Sequence, residues 1–310
     1  MKRQPLLIDT DPGVDDALAI LMALRHPAAE VLALTIAAGN VGLTHTVANA
    51  LKLVEVAGVD VPVYPGCATP LVHAAEDAAY VHGRDGFGDT GYTPARRRAR
   101  HEHAALAMLR LSRERAGELT FVMLGPLTNL ALALRLDPTL PERVPRLVLM
   151  GGAVTGHGNT RVPVEFNFGF DPEAAHVVCS AWPRFDVADW EATLRHGIAH
   201  AIFDAWLAGG DSTGRFYDAI SRQTRAWSEG KRGSDWHSAD GLAMAVVLEP
   251  EGVLEWQERP LAIESGGALS RGASVVDWAR RSGAPDNARI ALRYERERFH
   301  RMIRVALGAG

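Results

Sequence analysis

Short apolar runs and helical repeats alternate along this chain. Leu6-Leu7-Ile8 runs into Asp9 without a polar interruption, the pattern of a strand buried on both faces. Pro12-Gly13 supplies turn chemistry, and Val14, Leu18, Leu21 and Met22 then recur at helical spacing. The pattern next predicts a strand over 31–36, a helix over 44–56 stopped by Gly58, and a short strand over 61–64. Periodicity is lost over 66–100, where Val81-His82-Gly83-Arg84-Asp85-Gly86-Phe87-Gly88 is too rich in glycine for a stable element. A loop of that length is expected to be a lid or a binding loop. Helices over 103–115 and up to 136, strands over 119–124, 146–150 and 185–187, and a helix opening at Asp171-Pro172 resume the alternation. The segment 195–230 reads as helical, 231–238 as a break, and 239–248 as a helix stopped by Pro250. Strands over 261–263, 274–276 and 288–294 precede a last helix. Strand and helix in turn imply an α/β protein: one open, mostly parallel, Rossmann-like sheet with helices on both faces. No repeat or linker divides residues 1–310, so a single domain is expected.

Composition removes several classes of function. Of 310 residues, 47% are hydrophobic and 23% charged, the balance of an ordinary globular protein. A net charge of −4 gives no general attraction to nucleic acid or to anionic membranes. The run Arg96-Arg97-Arg98-Ala99-Arg100 lacks interleaved aromatics and reads as the solvated start of the next helix. Cys67 and Cys179 cannot make a disulfide scaffold, and neither belongs to a metal-ligand pair. Only three apolar residues follow Met1-Lys2-Arg3-Gln4-Pro5 before the acids begin, too few for a signal-peptide core. The expectation is a cytoplasmic enzyme with a small-molecule substrate and no nucleic-acid or membrane partner.

The chemistry concentrates where the first strand ends. Asp9 and Asp11 share a side of the chain if it stays extended, and Asp15 and Asp16 fall in the first turn of the following helix, where the macrodipole favours negative charge. One or two acids would fit a cap or a turn. Four within eight positions repel one another unless a cation neutralises them, and an all-oxygen set suits a hard divalent ion. An Asp-x-Asp phosphotransferase is a poor alternative, because Gly13 stands where that chemistry places Thr or Val. Further polar residues also sit just beyond predicted strands: Asn40, Thr128, Asn129, Asn159, Glu165 and Asn167. In an open parallel sheet such positions converge on one crevice.

These same blocks resemble the nucleoside hydrolases, enzymes that cleave ribonucleosides to base and ribose around a bound calcium ion. The resemblance is carried by Asp9-Thr10-Asp11-Pro12-Gly13-Val14-Asp15-Asp16 and by Thr35-Ile36-Ala37-Ala38-Gly39-Asn40. Leu124-Gly125-Pro126-Leu127-Thr128-Asn129, Met150-Gly151-Gly152, Glu165-Phe166-Asn167 and Asp171-Pro172-Glu173-Ala174 continue it, in family order. It implies that Asp11, Asp16, the carbonyl of Thr128 and Asp240 hold Ca2+, with Asp11 also acting as general base toward water. It implies further that Asp15, Asn40 and Asn167 bind the ribose diol and that Asn159 and Glu165 grip the 5′-hydroxyl. Asp9 fits a supporting role. A homodimer or homotetramer is the assembly the resemblance suggests. A ribose- or nucleoside-binding protein that lost turnover, or a hydrolase of a different riboside, is the competing reading.

One position departs from the pattern. Where much of the family has a His immediately before the C-terminal calcium-binding Asp, this chain has Ala239, which has nothing to donate to a departing base. His82, in the glycine-rich loop, and His237 are the replacement candidates for the leaving-group acid. Trp236, beside His237, is the expected stacking partner for the base.

Overall fold

The computed structural model describes residues 3–310. Eight runs build one sheet: β1 (Gln4–Thr10), β2 (Ala29–Ile36), β3 (Val63–Pro65), β4 (Thr120–Met123), β5 (Arg146–Met150), β6 (Phe185–Ala188), β7 (Val253–Arg259) and β8 (Ala288–Tyr294). Their spatial order is β3-β2-β1-β4-β5-β6-β8-β7. Every neighbouring pair is parallel except β7 on β8. The chain winds outward from β1 to β3, then returns to the other side of β1 with β4. That reversal opens a crevice beyond the carboxyl ends of β1 and β4, where open α/β sheets bind their ligands.

Alternate residues of each central strand enter opposite cores. Leu6 and Ile8 of β1 join one cluster and Leu7 the other; Val122 and Phe121 of β4, and Val148 and Leu147 of β5, divide in the same way. Both faces are therefore buried, which is why these strands read as unbroken apolar runs. Helices Val14–Arg25, Leu43–Val56, Ser212–Arg232, Ala239–Leu248 and Arg296–Leu307 cover the first face. Helices Ala104–Glu114, Thr128–Leu136 and Pro172–Ala181 cover the second. All ten residues of Ala239–Leu248 are buried, the condition of a helix that is apolar all round. Asp240, in its first turn, is thus carried on one of the most constrained elements of the fold. Among the described residues no helix is long and apolar enough to cross a membrane.

The structure departs from the sequence reading in three places. Strand β7 is not foreseen: with Glu255, Glu258 and Arg259 it carries the charges of a sheet edge rather than an apolar run. The segment read as continuous helix over 195–230 is two helices, His200–Ala208 and Ser212–Arg232, preceded by a two-residue strand, Ile198–Ala199. That strand pairs antiparallel with Asp235–Trp236, inside the stretch read as a break. The glycine-rich loop also contains one helical turn, Ala79–His82, which holds the His82 side chain inward.

Candidate active site

Asp11 is the first residue past β1 and is buried. Its Oδ2 accepts the backbone N–H of Asn40, from the loop after β2, at 2.6 Å. Its Oδ1 is buried with no protein partner. Two glycines make this approach possible: a Cβ on Gly39 would lie 2.0 Å from Oδ2, and one on Gly125, after β4, 2.2 Å from Oδ1. Three strand ends therefore close on one carboxylate and leave one of its oxygens free.

Asp16 is held as firmly. It accepts from the Gly13 N–H at 3.0 Å, from the Asn40 amide at 2.9 Å, and from the Thr10 hydroxyl. The Gly13 contact satisfies a donor at the start of helix Val14–Arg25, so the residue that caps the helix also faces the crevice. Asn40 reaches back with the same amide nitrogen to the Asp11 carbonyl, 3.2 Å away. Carboxylate oxygens of Asp15, Asp16 and Asp240 lie within 4.8 Å of one another. Asp9 points elsewhere. Its Oδ2 accepts from Asn129, whose own carbonyl oxygen accepts the Cys67 N–H at 2.8 Å, and this chain ties β1 to the loop after β3.

Burial sets the electrostatics of the cluster. Desolvation pushes Asp9 up to about 7 and Asp16 up to about 6, the latter helped by the charge of Asp15. Asp11 and Asp240 are driven well above the carboxylate range by burial and then by neighbouring acids. Burial also raises Glu165, to about 7, despite its three N–H partners. In the metal-free protein, groups raised in this way add stability that is complete below their unfolded values near 4 and is lost as pH rises through the folded values. Histidines lowered by burial oppose this trend, but an unfolded histidine is only about half protonated at pH 6.5, so the acids raised furthest, Asp11 and Asp240, set the sign between pH 6.5 and 8. The metal-free protein is expected to melt lower at pH 8 than at pH 6.5, by several degrees. A bound divalent cation, which holds the carboxylates ionised at both values, should flatten that difference. Calorimetry with chelator and with added Ca2+ checks this, and a metal-free protein that melts higher at pH 8 contradicts it.

The ribose-side candidates share the same crevice. The Asn167 amide donates to the carbonyls of Leu124 and Met150, just beyond β4 and at the end of β5, at 2.7 and 3.1 Å. Glu165 caps helix Phe166–Phe170, accepting from Asn167, Phe168 and Gly152 N–H groups. Asn159 accepts the Phe166 N–H at 2.8 Å. The preceding loop is anchored by Asp189, which accepts from Val154, and Glu191, which accepts from Thr155 and His157. The Thr128 hydroxyl is committed to Asp171 at 2.7 Å, which leaves only its carbonyl to offer a ligand.

Asp15, Asn40, Asp240, Asn159, Glu165 and Asn167 all line one cavity. His82 and His237 line it too. His82 Nδ1 accepts the Val14 N–H at 3.1 Å, so its proton sits on Nε2 and the ring cannot charge without losing that bond. Burial pushes His82 down to about 4. Burial, and then Arg232, also lower His237, whose Nδ1 is buried without a partner. Trp236 contributes to the lining, but its ring stacks on Phe203 at 5.6 Å and it is 2% exposed. The aromatic faces turned to a charged group in this cavity belong instead to Trp190 and Trp227.

The family model for inosine-uridine preferring nucleoside hydrolases matches residues 6–301 of this chain. The chain belongs to the nucleoside hydrolase family. Non-specific ribonucleoside hydrolase RihC of Klebsiella pneumoniae subsp. pneumoniae is 36% identical over 299 residues, 96% of each chain. Pyrimidine-specific ribonucleoside hydrolase RihB of Escherichia coli O1:K1 / APEC is 29% identical, over 98% of this chain and 96% of its own. The solved structure of an inosine-guanosine nucleoside hydrolase aligns with a TM-score of 0.90 at 30% identity over 99% of both chains. As a nucleoside hydrolase, this protein cleaves the N-glycosidic bond of ribonucleosides. The named relatives differ in the base they take, so family membership fixes the bond broken and not the base released.

Nucleoside hydrolases are metal-dependent, and the crevice has the chemistry for a hard cation. Its converging donors are carboxylate oxygens, Asp11 Oδ1 has no other partner, and the raised acids gain a countercharge when an ion binds. The triad whose side-chain oxygens meet is Asp15, Asp16 and Asp240, where the sequence reading had Asp11 as a ligand and Asp15 as a ribose contact. Asp171, given no role from the sequence beyond opening a helix within a resembling block, fixes Thr128, and Arg232, not singled out at all, lies against Trp190. Arg232 carries no motif. Only the folded chain brings it to Trp190, so no local pattern could have marked it.

Proposed function

We propose that this nucleoside hydrolase uses Ca2+ and that Asp11 is its general base. The observation that carries the reading is the Asp11 carboxylate at the topological switch point: one oxygen is fixed by Asn40 and the other is free and walled by glycine. A base must be held in place and still have a lone pair to use. The acids at positions 11, 15, 16 and 240, with the Thr128 carbonyl, would hold the ion. When bound, a hard divalent cation supplies Lewis-acid chemistry, acidifying water and anchoring vicinal hydroxyls.

The chain's own residues supply the rest. Asp11 takes the proton of the water that attacks the anomeric carbon. Asn40 and Asp15 hold the 2′- and 3′-hydroxyls, with Asn167 beside them. Asn159 and Glu165 hold the 5′-hydroxyl, so the sugar is fixed at both ends while the bond to the base stretches toward an oxocarbenium-like state. Glu165 and the acid cluster favour the positive charge that develops on the sugar. His82 and His237 stand as donors toward the base. A cytoplasmic homodimer or homotetramer is the setting this reading carries over from the family resemblance.

Sugar selectivity tests it. Removing the 2′-hydroxyl leaves buried acceptors and donors unpaired, and the cost of each is large enough to matter. Uridine should exceed 2′-deoxyuridine in kcat/KM by about 10³-fold. Free ribose release, measured side by side with saturating Ca2+, reads this directly, and comparable rates on the two nucleosides contradict the assignment.

A further inference from the structure

Arg232 ends the long helix Ser212–Arg232 and is the one permanent cation among the described residues lining the catalytic cavity. Its guanidinium carbon lies 4.6 Å from the centre of the Trp190 ring and 4.9 Å from that of Trp227. Two aromatic faces thus clamp it and orient its edge. Among the described residues it has no hydrogen-bond acceptor, and longer-range attraction to Asp15 offsets part of its burial. That sets it apart from the other shielded arginines: Arg143, Arg146, Arg225 and Arg271 each hold a carboxylate. A shielded guanidinium without an acceptor is costly, and the two rings recover part of that cost as cation–π attraction. What remains is a rigid fork of N–H donors facing a cavity whose other groups are fitted to a ribonucleoside.

We propose that Arg232 contacts the departing nucleobase and stabilises the negative charge that collects on it as the N-glycosidic bond breaks. This rests on the hydrolase reading above and names the residue that serves its leaving group. Position 239 is an alanine beside Asp240 and has nothing to donate to the base. Arg232 fills that need by a different route, because a guanidinium keeps its proton and acts through charge and hydrogen bonds. The balance is complete. The bond's electron pair goes to the base nitrogen, water adds to the anomeric carbon and loses a proton to Asp11, and the base anion takes a proton from solvent after release. A fork of this kind matches two neighbouring acceptors, the arrangement a 6-oxopurine presents through O6 and N7. An amino base presents a donor at the same edge, so the residue should favour inosine over adenosine.

The test compares wild type, R232Q and R232K in the Ca2+-loaded enzyme on inosine, adenosine and 4-nitrophenyl riboside, whose leaving group is a stable anion without help. The third substrate also reports folding and water activation. For R232Q, kcat on inosine should fall relative to kcat on the nitrophenyl riboside by about 10²-fold, the scale of losing one preorganised donor to a developing anion. The inosine-to-adenosine ratio should fall with it. R232K, which keeps the charge but not the fork, should recover part of the rate on inosine and little of the preference over adenosine. In R232A, added guanidinium ion at millimolar concentration should restore inosine cleavage. Equal losses on all three substrates would show that Arg232 serves only Asp15 or the fold and would overturn the proposal, as would an unchanged inosine-to-nitrophenyl ratio. A wild-type protein that cleaves no riboside would overturn the hydrolase reading itself, an outcome read from the parent enzyme before any variant is compared.

Discussion

Asp11→Asn should lower kcat on inosine or uridine by about 10⁴-fold, at the upper end of what a positioned general base contributes. The substitution is nearly isosteric, and the asparagine carbonyl oxygen can still accept the Asn40 N–H now bound at 2.6 Å. The fold should therefore survive: the melting temperature of the metal-free variant is expected to equal or exceed that of the parent, because one buried acid has left a cluster of mutually repelling ones. Asp16, the acid tied to the same Asn40 side chain, is not free to step in as base. Gly39 and Gly125 wall the Asp11 carboxylate with backbone, and Asp16 has its oxygens engaged by Thr10, Gly13 and Asn40. Single-turnover base release with saturating Ca2+, together with thermal unfolding, measures both halves. A variant that keeps about a tenth or more of the parental rate contradicts the role given to Asp11.

Much of the site is legible from residue order because it is local. Strand, turn and helix follow one another within Gln4–Thr10 and Val14–Arg25, so the spacing of Asp11, Asp15 and Asp16 already fixes which end of the sheet they occupy. The same holds for Asn40 after β2 and Asn167 after β5, since a parallel sheet sends all such positions to one edge. Helix Ala239–Leu248 is legible for another reason: an apolar run with Pro250 two residues beyond its end leaves little choice.

What stays hidden depends on contacts between distant segments. Edge strand β7 shows no apolar run, because only one neighbour, β8, covers it. The break before Ser212 is set by Asp211, whose side chain caps the long helix and pairs with Arg25. Trp236 looks from its neighbours like a pocket aromatic, yet Phe203 claims its ring, while Trp190 and Trp227 are the rings that face Arg232. Residue type alone cannot rank seven tryptophans, whereas the ring positions in the fold can.

The second large effect is that of the metal. The carboxylates of Asp15, Asp16 and Asp240 meet within 4.8 Å; burial holds all three above their ordinary range, and repulsion from neighbouring acids adds to it for Asp16 and Asp240. Without a divalent cation the ionised carboxylates that the reaction needs are disfavoured, and the diol loses its anchor, so both the base and the positioning are impaired at once. Binding to the folded state alone should also raise stability by about 3 kcal/mol at a hundredfold excess over Kd. The measurement that tests the central claim is uridine and inosine hydrolysis by protein shown by elemental analysis to be metal-free, followed by titration with Ca2+. The expected result is no cleavage above background in the metal-free protein and full recovery on titration, with a rise in melting temperature over the same concentration range. Full hydrolysis by the verified metal-free protein would contradict the account.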